Sequence, residues 1–368
     1  MRFLLSSHGA SPFGAERVLL AVAAGLTARG HAVTLELPHD GPAVGSARAA
    51  GIHVVVSGRA RLPRNALELA RYGAGFASSV RSLRTLLRSE RYDVLWVNSI
   101  YNVPAAVAAR GAGVPVVWHL HERNFGGPAA RIAAHCVQRH SDLAVAPSGF
   151  VADSFIAAGL PQHHVRIVPN ALLRLARPSP RPARDRFVIG YIGQLERRKR
   201  VTDILGAVAR IDGSSALLVG DGKARRTVQA SIAELHLADR VRLAGFQEDV
   251  MPFLDACDCV VIPSPDEAFG LVAVEAMAAG RPVVAARSGA LPEVLGDAAA
   301  WFPVGDTAAL AACIAALRAD PARAAELSAR GIERAGQYSV ERLLDGVEQV
   351  AHEAVHRRRG ARTEVVLA

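Results

Sequence analysis

Short apolar runs without regular polar alternation recur through the first half of the chain, at 2–7, 32–37, 52–56, 93–98, 114–119, 142–146 and 165–169. Such runs are what strands buried on both faces require. Segments with helical spacing lie between several of them, at 15–29, 64–89, 102–110, 128–139 and 148–158. This alternation predicts a parallel sheet with right-handed crossovers. The texture then breaks at RLARPSPRPARDR (174–186), where three prolines and five arginines leave almost no apolar residue. Proline-stiffened polar sequence of this kind reads as a linker. After it the alternation restarts, with strands at 187–193, 215–220, 240–245, 258–263, 281–286 and 299–303. Helices follow near 199–211, 224–236, 249–256, 270–279 and 306–318, and two or three more finish the chain over 320–356.

The pattern predicts two doubly wound α/β domains, 1–172 and 187–340, joined by a linker at 173–186. A C-terminal helix at 341–356 and a basic, frayed tail at 357–368 complete it. At 368 residues, more than one hydrophobic core is expected. Open parallel sheets bind ligands beyond the carboxyl ends of their strands. Two such sheets facing each other would form a deep central cleft.

Composition changes this picture little. The net charge of +9 could serve nucleic acid, an anionic membrane surface or phosphorylated small molecules. Much of it is arginine scattered through an Ala/Arg-rich chain, and aromatic residues are only 5% with no recognition motif, which argues against nucleic acid. Cys136, Cys257, Cys259 and Cys313 have neither zinc-like nor redox spacing. No stretch approaches the ~20 apolar residues of a membrane span, and the apolar start is too short for a signal peptide. A soluble, cytoplasmic protein is expected, at most peripheral to a membrane.

The segment PSPDEAFGLVAVEAMAAGRPVVAARSGALPE (263–293) carries the chemistry. Its loop holds Glu267, a helix begins near Phe269 and Gly270, and Glu275 lies within that otherwise apolar helix. A buried carboxylate is costly unless hydrogen-bonded, and vicinal ribose hydroxyls would suit Glu275. Glu267 could take the hydroxyls of a sugar. The helix start around Gly270 offers free amides and a dipole to a diphosphate. The alternative is that Glu275 pairs with a core arginine and Glu267 is solvated.

PSPDEAFGLVAVEAMAAGRPVVA resembles the hallmark of the retaining GT-B glycosyltransferases of the glycosyltransferase 4 family, with its pair of glutamates eight positions apart at Glu267 and Glu275. SPFGAERVLLAVAAGLTARGHAVTL (11–35), WHLHERN (118–124), VRIVPNA (165–171), LLVGDG (217–222) and FQEDVMPFLDACDCVVIPS (246–264) resemble further family segments in the right order. The resemblance implies two Rossmann-like domains facing a central cleft, with C-terminal helices crossing back to the first domain. It also implies transfer of a hexose-type sugar from a nucleoside-diphosphate donor to a small-molecule or lipid-linked hydroxyl, with retention and without a metal or other cofactor.

Residue by residue, the resemblance gives Glu275 the donor ribose and Glu267 the transferred sugar. Lys199 takes the phosphates, and His121 contacts the sugar near the reacting carbon. Gly14, Gly193, Gly220, Gly222, Phe269, Gly270 and Leu271 line the nucleotide. Three positions depart from the family pattern. Gln194 stands where arginine is usual, Arg200 where glycine is usual, and Asn170-Ala171-Leu172 ends the "NG.D" segment. Arg197, Arg198 or Arg200 could supply the missing cation.

His119 and His121 share one face of a strand. Metal binding there lacks a third ligand of suitable spacing, and a packed core histidine is the plain alternative for both. Arginines at 59, 61, 64, 71, 81, 84, 88 and 91 form a basic belt. Arg81, Arg84 and Arg88 flank an apolar stripe of Phe76, Val80, Leu83 and Leu87, which could meet anionic lipid or an anionic acceptor, or be an ordinary solvated face. Acceptor contacts are expected from 38–48, 57–75 and 99–104. An epimerase or phosphorylase of the same plan, and a two-domain small-molecule binding protein, are the competing readings.

Overall fold

The computed structural model describes residues 1–11, 13–59, 66–124, 126–173, 178 and 185–367, with the side chains of 66–72, 74 and 361–367 outside that description. The chain divides into two compact units, residues 1–173 with 340–368, and residues 174–339.

Unit 1 is built on seven parallel strands: β1 (Arg2–Ser6), β2 (Ala32–Leu37), β3 (His53–Val56), β4 (Val94–Asn98), β5 (Val116–His119), β6 (Leu143–Ala146) and β7 (Val165–Ile167). Their order is β3-β2-β1-β4-β5-β6-β7, so the winding reverses between β1 and β4. The helices are α1 (Gly14–Ala28), α2 (Pro42–Ala49), α3 (Ala66–Ser89), α4 (Val103–Ala112), α5 (Gly127–His140) and α6 (Gly149–Ile156). Every residue of β4, β5 and β6 is buried, as the unbroken apolar runs predict for central strands.

Unit 2 repeats the plan with six parallel strands: β8 (Phe187–Ile192), β9 (Ser214–Val219), β10 (Val241–Gly245), β11 (Cys259–Ile262), β12 (Val283–Ala286) and β13 (Ala299–Phe302). The order is β10-β9-β8-β11-β12-β13, with the reversal between β8 and β11. Its helices are α7 (Val201–Arg210), α8 (Arg225–Glu234), α9 (Met251–Asp255), α10 (Leu271–Ala278), α11 (Leu291–Leu295), α12 (Thr307–Ala319) and α13 (Pro321–Ala335). Cys257 and Cys259 are buried thiols outside any disulfide. No helix among the described residues is long and apolar enough to cross a membrane.

Three stretches differ from the sequence reading. The expected acceptor loop at 38–48 contains α2, whose polar, alanine-rich sequence gives a weak helical period. The short α11 was not anticipated. Residues 357–367 continue one helix, α14 (Val340–Leu367), rather than forming a separate tail. A basic run looks like a tail by composition, but here its arginines have partners. Arg357 bonds Glu353 one turn back at 2.7 Å and the His163 carbonyl at 3.1 Å, and Arg358 reaches Asp142 at 3.4 Å. Intrahelical pairs four apart support such a helix.

The chain thus leaves unit 2 after Ser339 and ends on unit 1. α14 is held to unit 1 by Arg29 and His31 on Glu348, at 2.6 and 2.7 Å, and by Arg166 on Glu353 at 2.5 Å. The apolar seam is close: a methyl group on Gly25 of α1 would lie 2.4 Å from Leu344 Cδ1, and one on Gly346 2.7 Å from Val168 Cγ1. Close-packed interiors tolerate added volume poorly. Gly25→Leu should therefore lower unfolding free energy by about 1–3 kcal/mol, measured by urea denaturation. A variant as stable as the parent would show that α14 is not packed against α1 in this way.

Candidate active site

In unit 2 the site is built on backbone brought unusually close. The Gly193 amide donates to the Val219 carbonyl at 2.9 Å, Gly220 to Gly245 at 2.7 Å and Leu195 to Asp221 at 2.9 Å. These bonds tie the turns after β8, β9 and β10 edge to edge. A Cβ on Gly220 would sit 1.8 Å from the Gly193 oxygen, and one on Gly222 2.5 Å from the Leu195 oxygen. Gly220 has φ 135°, a region L side chains rarely adopt. These glycines therefore let two turns touch.

Beyond Gly193, the chain makes one 3-10 turn at Arg197–Lys199 and enters α7 through Arg200 at φ 52°. Left-handed backbone costs a residue with a side chain roughly 1–2 kcal/mol, which explains why glycine is at home here. Arg200 offsets the cost by bonding both oxygens of Asp203, at 2.7 and 3.2 Å. Its charge is therefore engaged, and Arg198 bonds Glu196 at 2.8 Å.

Lys199 projects from that turn to Glu267, Nζ to Oε1 at 2.6 Å, with both side chains mostly buried at 15% and 16% exposure. Burial pushes the Glu267 carboxyl upward. The Lys199 charge and hydrogen bond outweigh this, helped by Ser264 and Arg198, and hold it below the usual carboxylate range. The Glu267 backbone is fixed as well: Ala290 N–H donates to its carbonyl at 2.8 Å, and a Cβ on Gly289 would lie 2.8 Å from that oxygen. Gly289 had no role in the sequence reading. Its signal was present only as SGALPE, a turn leading into a helix.

Gly270, at φ 91°, precedes α10, and no side chain caps that helix. Its carbonyl accepts from Ala273 at 2.9 Å, so the amides of Leu271 and Val272 begin the helix without an intrahelical acceptor. Phe269 turns inward, 3% exposed and edge-on to Tyr338 at 5.2 Å. Its ring is core, and only its backbone lies toward the helix tip. Glu275 is 2% exposed in the middle of α10.

Unit 1 gathers polar groups at the carboxyl ends of β1, β2, β4 and β5. Gly14 is the first residue of α1. Arg59 leaves the basic belt entirely: it is buried and forks onto Glu36 at 2.7 and 2.9 Å, while also donating to Asn102 Oδ1 at 2.7 Å and the Ser7 carbonyl at 2.7 Å. A charge within the apolar run of β2 was the sequence signal for this pair, and it went unread. His121 lies two residues past β5, its Nε2 2.7 Å from Asn98 Oδ1 and its ring 3.9 Å from that of His119. Glu122 accepts from Ser99 Oγ at 2.6 Å and from the Ile100 amide at 3.3 Å. Burial raises its carboxyl above the usual range.

His119 is fully buried and its Nδ1 accepts from Trp96 Nε1 at 3.4 Å. Burial lowers its pKa to about 3, and lowers that of His121 well below the ordinary value. Among the described residues no three His, Cys, Asp or Glu side chains are grouped to hold a metal. His8 lies 3.5 Å from Glu16. Burial and then Arg59 lower His8 to about 4, whereas burial raises Glu16 to about 7.

These shifts fix a sign. A histidine with a depressed folded pKa gives its full contribution to stability above its ordinary 6.5 and loses it as pH falls toward the folded value. His8, His119 and His164, the last also at about 4, all act this way. Glu16, raised from 4.5 to about 7, acts oppositely and favours the folded state as pH falls through that window. With His121 also lowered, the depressed histidines outnumber the two raised carboxyls, Glu16 and Glu122, which predicts a lower melting temperature at pH 4.5 than at pH 7, with a steeper fall in Glu16→Gln. Calorimetry checks this, and a melting temperature that rises on acidification would contradict neutral buried histidines.

Comparison with known proteins follows the same division of the chain. The profile described as Glycosyl transferases group 1 matches residues 174–335, and that described as Glycosyl transferase 4-like domain matches residues 13–171. The lipopolysaccharide core biosynthesis glycosyltransferase LpsD of Rhizobium meliloti is 38% identical over 167 residues, which is 43% of this chain and 49% of LpsD; the chain thus matches about half of that relative's length. The D-inositol 3-phosphate glycosyltransferase of Thermobispora bispora is 30% identical over 324 residues, covering 77% of this chain and 75% of the relative. Among solved structures, Anabaena HepE in complex with UDP-glucose has a TM-score of 0.83 at 25% identity, covering 96% of this chain and 100% of HepE. A Rossmann-like sheet in each unit, two profiles dividing the chain as the units do, and a relative matched over three quarters of its length establish that this chain belongs to the group 1 glycosyltransferases, with the GT-B fold.

Proposed function

We propose that the protein transfers a hexose-type sugar from a nucleoside-diphosphate donor to a hydroxyl of a small-molecule or lipid-linked acceptor, with retention of configuration and without a metal. The observation that carries this reading is the Lys199–Glu267 pair, set beside the glycine turns of unit 2 and near the start of α10. In the free protein the two groups neutralise each other. A sugar diphosphate would exchange that bond for two: phosphate oxygens on the Lys199 ammonium, and sugar hydroxyls on the Glu267 carboxylate. HepE, at 25% identity, has been crystallised with UDP and with UDP-glucose, which supports a nucleotide of this class.

The charge that grows on a departing diphosphate needs a cationic counterpart. Lys199 supplies it here, with the uncapped amides of α10 and with Arg198, whose charge already acts on Glu267. Arg198, although bonded to Glu196 at 2.8 Å, and Arg197 lie in the same turn as Lys199 and are the candidates to replace the arginine that Gln194 displaces. Glu275, buried in α10, takes the ribose in this reading. In unit 1, His121 meets the donor sugar, and a phosphate oxygen of the leaving group takes the acceptor proton, so no separate protein base is used. A groove of about 480 Å³ between α3 and α4, lined by Phe76, Val80, Arg81, Arg84, Arg88 and Val107, supports contact with an anionic acceptor or lipid surface, since it pairs apolar walls with cations.

Incubation with a panel of nucleoside-diphosphate sugars should release nucleoside diphosphate at the same rate with and without chelator; chelator-sensitive turnover would refute the metal-free mechanism. Lys199→Ala should lower turnover on the order of a hundredfold, as loss of a transition-state charge partner does, and near-normal turnover would remove Lys199 from the chemistry. Glu275→Gln should weaken nucleotide binding in calorimetry while the fold, followed by circular dichroism, stays intact.

A further inference from the structure

Asn98 is the last residue of β4, fully buried, and had no part in the sequence reading. Its side chain bridges two elements. Nδ2 lies 3.5 Å from the Ala15 carbonyl in the first turn of α1, and Oδ1 lies 2.7 Å from His121 Nε2. A backbone carbonyl only accepts, so the amide nitrogen must face Ala15 and the amide oxygen must face the imidazole. That oxygen has no proton to give. The proton in the short bond therefore resides on His121 Nε2.

The surrounding backbone holds this arrangement still. Ser99 follows Asn98 at φ 72°, a conformation that a residue with a side chain adopts only under constraint. Its carbonyl accepts from Trp118 Nε1 at 2.8 Å, its amide donates to the His119 carbonyl at 2.9 Å, and its hydroxyl donates to Glu122 at 2.6 Å. The turn after β4 and the turn carrying His121 are thereby stitched at several points. The titratable groups that act on His121 are His119 on β5 and His8 after β1; Glu16 and Arg59 lie beside His8, and Glu122 is next in the chain. Burial, then His119 and His8, disfavour the imidazolium. A neutral ring with its proton on Nε2 has one acceptor left, Nδ1. His121 is partly exposed, and among the described residues Nδ1 makes no hydrogen bond.

We propose that Asn98 is a positioning residue that fixes His121 in the Nε2–H tautomer, so that Nδ1 accepts a hydrogen bond from a substrate hydroxyl. The substrate half of this statement rests on the transferase reading above; the tautomer half does not. A site committed in this way recognises a donor group at that point of the sugar, and an analogue lacking the hydroxyl leaves the ring nitrogen unsatisfied.

Long-range proton–nitrogen correlation spectra of ¹⁵N-labelled protein between pH 6 and pH 8, with His121 assigned through His121→Gln, read the tautomer directly. The expected result is a protonated Nε2 and a bare Nδ1 across the range. A proton on Nδ1 overturns the proposal, and this measurement needs no Asn98 variant to fold. Asn98→Asp keeps the shape and the acceptor but adds negative charge, which favours the imidazolium. His121 should then ionise within the measured range, and the pH profile of donor turnover should gain that ionisation; an unmoved His121 in a folded variant also overturns the proposal. Unchanged kcat and KM for the donor in His121→Gln would refute the substrate half. Failure of the transferase reading itself is distinguishable, because it would show as no donor turnover in the parent protein.

Discussion

A carboxylate that is mostly out of water stays charged only if something cationic is held against it, and Glu267 has Lys199 at 2.6 Å. Much of unit 2 around this pair serves to hold it. The turn bearing Lys199 is fixed by Arg200 and Asp203, and the loop bearing Glu267 is clamped from behind by Gly289 and Ala290. Breaking such a pair by removing one partner is costly, because it leaves a buried charge uncompensated.

The two units meet one physical problem by different means. At the carboxyl ends of parallel strands, several turns converge and their backbone polar groups need partners. Unit 2 solves this with glycines, which let the turns after β8 and β9 touch. Unit 1 uses side chains instead: Glu36, Arg59, Asn98, Asn102, Ser99 and Glu122 form buried bonds that stitch the turns after β1, β2, β4 and β5. Buried networks of this kind are favourable only when each member is satisfied. That makes unit 1 sensitive to proton uptake by its histidines in a way the glycine-built unit is not.

The departures from the family pattern are explained by the local backbone. Arg200 occupies a left-handed position that favours glycine, and spends its guanidinium on Asp203 to stay there. Gln194 contributes its carbonyl to Tyr191 at 2.8 Å, a bond independent of its side chain, so the loss of arginine there leaves the turn intact.

The order of the thirteen strands among the described residues was readable from the chain because burial on both faces of a parallel sheet leaves apolar runs, most complete in the central strands and weaker in the partly exposed β3, β7 and β10; the helices α2 and α11 were not. Glu267 and Glu275 stood out because charge beside or within an apolar helix demands a reason, whereas Lys199, in a run of arginines, stood out only through the family resemblance. Tertiary structure alone decided the partnerships: that Lys199 meets Glu267, 68 positions away; that Arg59 is buried on Glu36 rather than solvated in a basic belt; that Phe269 faces the core; and that the arginines after Glu353 belong to a helix. Periodicity reports which face of an element is buried, but hydrogen-bond partners are set by which strand ends the winding brings together, and no local pattern encodes that distance.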